Sequence, residues 1–483
     1  MIQHLKSYPA YKDSGVPWLG QVPDHWEVLP GRAVFREIND RGHTDKQMLS
    51  VTITSGVLRQ ADLLADSSKK DSSNEDKSNY KLVQPGDLVY NKMRAWQGAV
   101  GVSAYRGIVS PAYIVQRLRS AENLPRYMHF LLRTPLFASE AERWSYGITS
   151  DQWSLRAEEF KCIYFSLPPL PEQTAIVRFL DYMDRRIRSY IRAKQKLIKL
   201  LDEYKQALIH CAVTGQIDVR TGQPYPAYKP PGVQWLGKVP AHWEVIPLKR
   251  LAWFKSGAGF PIVHQGETSA ELPFFKVSDM NIPGNEKYLQ AYANTVSLST
   301  ARSLGATVFP EGAIIFPKVG GALLTNKRRI TIKPFCIDNN VMACVPTNGN
   351  HNFLFLIMSW IDLGQIAKPG PVPAISEGEV REIRVAIPPL PEQTTIVAYL
   401  DTQTAKIDGA ISAARREIEL LREYRERLIS DVVTGKVDVR EVASQLPEEP
   451  ETPEEEEPES LDEEALNDES EKAEDEESPD GEA

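Results

Sequence analysis

The sequence predicts an α+β protein in which two mixed α/β domains sit on two long antiparallel coiled-coil helices, the whole internally duplicated with pseudo-two-fold symmetry. Three observations predict it. Landmark motifs recur at a nearly constant shift, each copy contains a heptad-patterned segment free of Pro, and the segments between landmarks carry short strand-like runs broken by Gly and Pro.

The duplication sets the architecture. YPAYKDSGVPWLGQVPDHWEVLP at 8–30 returns as YPAYKPPGVQWLGKVPAHWEVIP at 225–247, a shift of 217 that carries Trp18 onto Trp235 and Trp26 onto Trp243. LPPLPEQTAIVRFLD at 167–181 returns as IPPLPEQTTIVAYLD at 387–401, and VTGQIDVR at 213–220 returns as VTGKVDVR at 433–440, both shifted by 220. Residues 31–166 and 248–386, which lie between the first two landmarks, show no comparable likeness to each other. The frame was duplicated and the inserts diverged. Two units of this size are not the three or more short repeats that a solenoid needs.

After each PPLPEQ the sequence reads as a long helix, with Pro at its start, no internal Pro, and a Thr-Gly stop at Thr214-Gly215 or Thr434-Gly435. The first seam runs Ile176, Leu180, Met183, Ile187, Tyr190, Lys194, Leu197, Leu201, Tyr204, Leu208 in steps of four and three. The second runs Ile396, Leu400, Gln403, Ile407, Ile411, Ala414, Ile418, Leu421, Leu428. From Pro171 to Ala212 the helix would be roughly 60 Å long. Such a seam by itself implies only a stable helix pair.

The inserts read as mixed α and β. MLSVTI (48–53), DLVYNK (87–92), GIVSPAYIV (107–115), KCIYFSLP (161–168) and AIIFPKV (313–319) look like strands, while PRYMHFLLRT (125–134) and NFLFLIMSWIDLGQI (352–366) look like short packed helices. The polar stretch Ser67–Ser78 reads as a mobile loop. The chain therefore divides into 1–170 (lead-in segment and first domain), 171–214 (first long helix), 215–386 (linker and second domain), 387–440 (second long helix) and 441–483 (acidic tail).

Composition fits this plan. At 483 residues and 42% hydrophobic content the chain is too long for one core. Cys162, Cys211, Cys336 and Cys344 lie far apart, with no Cys-x-x-Cys pair and no His at ligand spacing, so neither a metal site nor a disulfide framework is expected. The start has no apolar signal region and no run of eighteen apolar residues occurs, which makes the cytoplasm the expected location. The net charge of -9 hides an asymmetry: residues 441–483 hold 21 Asp+Glu and one Lys, so residues 1–440 carry a net +11. The tail, nearly devoid of apolar residues, is expected to be disordered.

The doubled WLG-x-VP-x-HWEV, the doubled PPLPEQ before a long helix, the VTG stop and two unlike inserts resemble the specificity subunits of type I restriction-modification systems over residues 1 to about 440. MLSVTITSGVL followed by YKLVQPGDLVYNKMRAWQGAVG resembles the family's target-recognition layout; FFKVSDM and PEGAIIFPKVGGALLTNKRR are looser counterparts in the second insert, and the acidic tail departs from the pattern. The resemblance implies that each target-recognition domain reads one half of a split, asymmetric double-stranded DNA site and that the helices fix the gap. It implies partners as well: two modification subunits, which methylate adenine N6 with S-adenosylmethionine, and restriction subunits, which use ATP and Mg2+. No cofactor, metal or catalytic residue is then expected in this chain, and no membrane association.

A sequence reader needs Lys or Arg for phosphates and Arg, Lys, Asn or Gln for base edges. In the first insert the candidates are Asn91, Lys92, Arg94 and Gln97 with Trp96 among them, then Arg59 and Gln60, and then Ser150 and Gln152 in the run Tyr146–Trp153. Two readings of the first cluster stand level: DNA contact, or cations protecting a strand edge above a core Trp96. The 146–153 run reads equally as a DNA-facing loop or as a turn before the closing strand. In the second insert the candidates are Lys318, Asn326, Lys327, Arg328 and Arg329, with Lys276, Ser278 and Asp279 behind them; three consecutive cations predict exposure. The four repeated tryptophans are expected to pack at the base of each domain, and His25 and His242 have no implied proton-transfer role.

Two rival classes fit the sequence less well. An enzyme is disfavoured by the lack of a phosphate loop and of an Asn/Asp-Pro-Pro-Tyr/Phe motif, and Glu159-Phe160-Lys161 has no Pro-Asp at nuclease spacing before it. A helical adaptor binding only proteins would need neither a basic body nor divergent inserts.

Overall fold

The computed structural model describes residues 5–65, 76–147, 153–367 and 372–447. The predicted loop at 67–78 falls mostly outside them, as do Ser150, Gln152 and the tail from 448 onward. The chain forms two compact units, residues 1–193 with 416–483, and residues 194–415. Each unit thus holds one insert, the first half of one long helix and the last half of the other, so the units cut across the linear segments.

In the first unit the strand Glu27–Pro30 pairs antiparallel with Tyr164–Leu167, closing the base of the insert. Above it lies a four-stranded antiparallel sheet in the order Phe35–Ile38, Tyr113–Leu118, Leu88–Asn91, Val100–Val102. The period-two alternation of strands sends side chains to two cores. Leu88, Tyr90 and Ile114 pack with the helix Pro125–Leu132, while Val89 and Val115 pack with Leu49, Val51 and Val57 of a hairpin. The predicted run 107–115 splits into two strands, Gly107–Val109 and Tyr113–Leu118, because Ser110-Pro111 turns the chain between them.

The second unit repeats the base, Glu244–Pro247 pairing with Arg384–Ile387. Its main sheet has five strands in the order Ala252–Ser256, Val341–Pro346, Ile314–Pro317, Arg329–Thr331, Tyr288–Leu289, the last pair parallel. Ile314 and Phe316 face the helix His351–Trp360, and Ile315 and Ala343 face a second core around Phe275 and Phe335. The predicted helix 352–366 is two helices, because Asp362 caps a new one at Leu363–Ile366 by accepting from the Gly364 and Gln365 amides. All four cysteines are free, and burial pushes the Cys336 thiol up to about 11.

The long helices run Leu170–Val213 and Leu390–Val433, 44 residues each, roughly 65 Å at 1.5 Å per residue. Both end alike. Gly215 and Gly435 have positive φ, and the next amide returns to a carbonyl five residues back, Gln216 to Cys211 at 2.9 Å and Lys436 to Asp431 at 2.9 Å. Each glycine also meets a lead-in segment: a Cβ at Gly215 would lie 2.5 Å from Pro240 Cδ, and one at Gly435 would overlap Pro23 Cδ. In the first unit the end of the second repeat thus packs on the beginning of the first.

Within the first unit Ile176, Phe179 and Leu180 pack with Leu428, Val432 and Val433, and Asp184 pairs with Arg425; the early turns of one helix meet the late turns of the other, as an antiparallel pair requires. In the second unit Leu208, Ala212 and Val213 share a core with Ile396, Leu400, Ile407 and Ile411, and Lys205 Nζ lies 2.6 Å from Asp408. The second predicted seam follows the buried line, with Leu421 and Gln403 half-buried. The first follows it through Ile187, with Met183 and later Leu201 half-buried, but Tyr190, Leu197 and Tyr204 are exposed and the line passes instead through Ile191 and Ile198. Asp184, paired with Arg425, occupies the step that the heptad reading gave to Met183. A 3.6-residue helix then drifts from a strict 3.5 repeat.

Candidate nucleic-acid interface

The lead-in segment of each insert is held by a carboxylate from PPLPEQ. Glu172 accepts from Tyr8 Oη at 2.6 Å, Trp26 Nε1 at 2.8 Å and, on its other oxygen, contacts His25 Nε2 at 2.7 Å. Glu392 repeats this with Tyr225 at 2.5 Å, Trp243 at 3.2 Å and His242 at 2.8 Å. Burial opposes ionisation of Glu392, but the hydrogen bonds from Tyr225, His242 and Trp243 outweigh it and hold the carboxyl below its ordinary value. Burial, then the Glu172 and Glu392 carboxylates, push the Tyr8 and Tyr225 phenols well up. Next along, Gln173 Oε1 accepts from Leu124 N and Gln393 Oε1 from Asn350 N, tying each helix start to the insert's own helices. Trp26 and Trp243 are fully buried in this role; Trp18 packs edge-on against Phe137 and Phe165, while Trp235, 40% exposed, stacks on Trp360.

On these bases the candidate readers take matching places. Lys92 follows the strand Leu88–Asn91 and Lys318 follows Ile314–Pro317. Both backbones then bond the closing segment, Leu155 N to Lys92 O and Ile375 N to Lys318 O. The strand before Lys92 is interior to its sheet, so edge protection does not account for that lysine. Asn91 Oδ1 accepts from Met93 N and starts a tight turn through Arg94, a 3-10 turn Ala95–Gln97 and Gly98 at φ 95°. Gln97 is exposed at its tip, and Lys92 and Arg94 are half-buried. Half-buried Trp96 reaches Trp153 with ring centroids 5.8 Å apart, which joins this turn to the loop closed by the Tyr146–Ser154 bridge. Trp153, at the end of the predicted 146–153 run, thus lies against the 91–97 turn, while the candidates Ser150 and Gln152 of that run lie outside the described residues. Arg59 and Gln60 lie elsewhere, at the end of the hairpin away from its 53–55 tip, with the Arg59 guanidinium 4.7 Å over Tyr105.

In the second unit Lys276, Ser278 and Asp279 belong to one turn, in which buried Asp279 caps the Lys276 amide at 2.6 Å. Lys327 Nζ meets Asn281 and Arg329 Nη2 meets Met280 O at 3.0 Å, so the 326–329 cluster is anchored on the 276–281 turn. The exposure expected of three consecutive cations fails: Lys327 and Arg329 are half-buried, and Arg328 is buried. It is 3% exposed and donates to Met358 O, Ile361 O, Lys327 O and Asn326 Oδ1, with its guanidinium 5.1 Å over Phe316. Burial pulls it down to about 9. A guanidinium fits such a site because its planar donors satisfy several carbonyls at once. Asn326 adopts φ 51° and donates to Ser359 O, so it too serves the turn. Half-buried Lys318 reaches Ser256 Oγ at 3.1 Å.

Arg133 plays a comparable part in the first unit, donating to Val100 O, Ile53 O and Thr54 O and fixing the hairpin tip; burial takes it down to about 10. Beside it His129 Nδ1 accepts from Val102 N at 3.2 Å, and burial, then Arg133, hold the imidazole well below its ordinary value. Sequence reasoning missed these residues and Glu172 and Glu392. Only the carboxylates left a signal, in the doubled Glu of PPLPEQ beside the doubled Tyr and His-Trp. Among the described residues no group of His, Cys, Asp or Glu is placed to hold a metal, and no helix is long and apolar enough to cross a membrane.

Comparison with known proteins agrees with this arrangement. The chain is 25% identical over 451 residues to the protein named as the MjaX type I restriction enzyme specificity subunit of Methanocaldococcus jannaschii, covering 87% of this chain and 96% of that one. It is 22% identical over 207 residues to the EcoDI specificity subunit of Escherichia coli, 42% of this chain and 40% of that one. Its fold matches a chain from a study of assembly and conformational transition of the type I R-M system, with a TM-score of 0.65, 16% identity, and 85% and 98% of the two chains covered. The HsdS subunit of Thermoanaerobacter tengcongensis matches with a TM-score of 0.51, 16% identity, and 86% and 98% coverage. The family model for the type I restriction modification DNA specificity domain matches twice, at residues 28–200 and 240–419, one match to each repeat. The chain therefore belongs to the type I restriction modification DNA specificity family, as a specificity subunit with two such domains.

Proposed function

We infer that each insert reads one half of a split, asymmetric duplex DNA site, and that the chain thereby directs adenine-N6 methylation or restriction performed by partner subunits. The observation that carries this reading is the placement of unlike turns on a duplicated base. Lys92 and Lys318 leave equivalent strands, but the turns after them differ in every side chain offered. Equal frames with unequal turns give two half-sites of unequal sequence. Two modification subunits, holding S-adenosylmethionine, and restriction subunits, using ATP and Mg2+, supply the chemistry in this reading. The long helices set the gap between half-sites. Exchanging residues 31–166 for the corresponding insert of another specificity subunit tests it: methylation mapping is expected to show one half of the motif changed and the other kept. A motif changed in both halves, or in neither, would overturn the assignment of one half to each insert.

A further inference from the structure

The second insert carries a feature that the candidate cations do not explain. Ile262 is 86% exposed and Val263 81% exposed, far more than the other large apolar residues among the described ones. They are not on a loose strand end. The loop bearing them is anchored on both sides: Gly257 N bonds Val341 O, Ala258 N bonds Ile337 O, and Gly266 N bonds Asn294 Oδ1. Beneath the tip the Phe260 ring stacks on buried Phe274, centroids 3.8 Å apart and 12° from parallel, and Gln265 Nε2 donates to Phe260 O at 2.8 Å. His264 N and Gln265 N close the tip on the carbonyls of Pro261 and Ile262. A built support under two branched aliphatics in water implies that something covers them.

Charge identifies what. Lys276 Nζ lies 3.0 Å from Gln265 Oε1 at one end of the loop, and Lys318 Nζ lies 3.1 Å from Ser256 Oγ at the other. The loop that carries the apolar tip thus begins and ends beside two of the candidate phosphate contacts. A polyanion that also offers apolar groups at fixed positions is duplex DNA, whose major groove presents the thymine 5-methyl among its hydrogen-bonding edges. Short β-branched side chains are stiff at χ1 and hold a methyl-sized contact in place.

We propose that Ile262 and Val263 are specificity-determining residues that contact thymine 5-methyl groups in the half-site read by the second insert, while Lys276 and Lys318 hold the flanking phosphates. This rests on the DNA-reading function inferred above. The test uses the chain assembled with its modification subunit and duplexes carrying the site found by methylation mapping, with each thymine of the second half-site replaced in turn by uracil. The wild-type complex is expected to lose about tenfold in affinity at one or two of these replacements, the scale of a single lost base contact. The I262S/V263S double variant is expected to lose a similar factor on the thymine duplex, to ignore those uracils, and to keep the wild-type salt dependence on unrelated DNA. Both substitutions are at exposed positions, so folding and assembly are expected to survive. Wild-type affinity in the variant, uracil indifference in the wild type, or loss of assembly with the modification subunit in place of DNA affinity would each overturn the proposal, the last assigning the tip to a protein partner. Absence of any site in methylation mapping with the wild-type chain would instead overturn the parent reading, and this one with it.

Discussion

At the scale of single residues, charged groups do two jobs that composition does not separate. Arg328 and Lys327 are neighbours, yet one is buried among carbonyls and the other is half-buried and reaches Asn281. Arg328→Lys is expected to lower the unfolding free energy of the second unit by about 2 kcal/mol or more, since a lysine leaves several carbonyls unpaired. Lys327→Ala is expected to leave stability nearly unchanged and, if Lys327 meets a phosphate, to reduce the slope of log affinity against log salt by about 1. Denaturant titration and salt-dependent binding separate the two. His129 gives a pH signature. Its imidazole is held neutral in the fold, while in the unfolded chain it takes up a proton below about 6.5. The unfolded state therefore binds the extra proton, and stability of the first unit falls as pH drops below that value, by at most about 1.4 kcal/mol per pH unit from this group. His129→Asn, which keeps an acceptor for Val102 N, is expected to flatten that slope between pH 6.5 and 5; an unchanged slope in urea titrations would assign it to other groups. Sequence showed that cations cluster at 327–329 but not which one turns inward, because burial depends on the carbonyls at the end of the His351–Trp360 helix, distant in sequence.

At the scale of elements, the long helices were the most legible part, since Pro, heptads and Thr-Gly mark them without reference to anything distant. The first seam drifted where a buried ion pair, Asp184 with Arg425, took a position that an apolar residue was expected to fill, and its partner comes from the other end of the chain. The strands were legible as runs but not as pairings; the interior place of Leu88–Asn91 follows only from the sheet order. The glycine that ends each helix was read as a stop signal, though it has a second task. Gly435→Ala is expected to destabilise the first unit by more than the ~1 kcal/mol of an ordinary glycine substitution, because the methyl meets Pro23 as well as an unfavourable φ. Comparing its melting temperature with that of Gly15→Ala, in the same unit with positive φ and open space, isolates the packing part.

At the scale of the whole molecule, duplication accounts for most of what the chain is. Both repeats place the same carboxylate under the same tryptophan and tyrosine and the same lysine after an equivalent strand, and differ where a reader must differ. If the helices set the gap, four residues added at matching positions in both lengthen each by about 6 Å and are absorbed as a stutter in the seam. The methylated motif is then expected to keep both halves and gain a wider spacer. An unchanged spacer with methylation intact would contradict the ruler. The DNA-reading role is tested most directly by a genome-wide map of N6-methyladenine in cells expressing this chain with the modification subunit proposed above, against cells expressing that subunit alone. A split, asymmetric motif is expected to appear only when the chain is present; an assembled complex that produces no new motif would contradict the DNA-reading role.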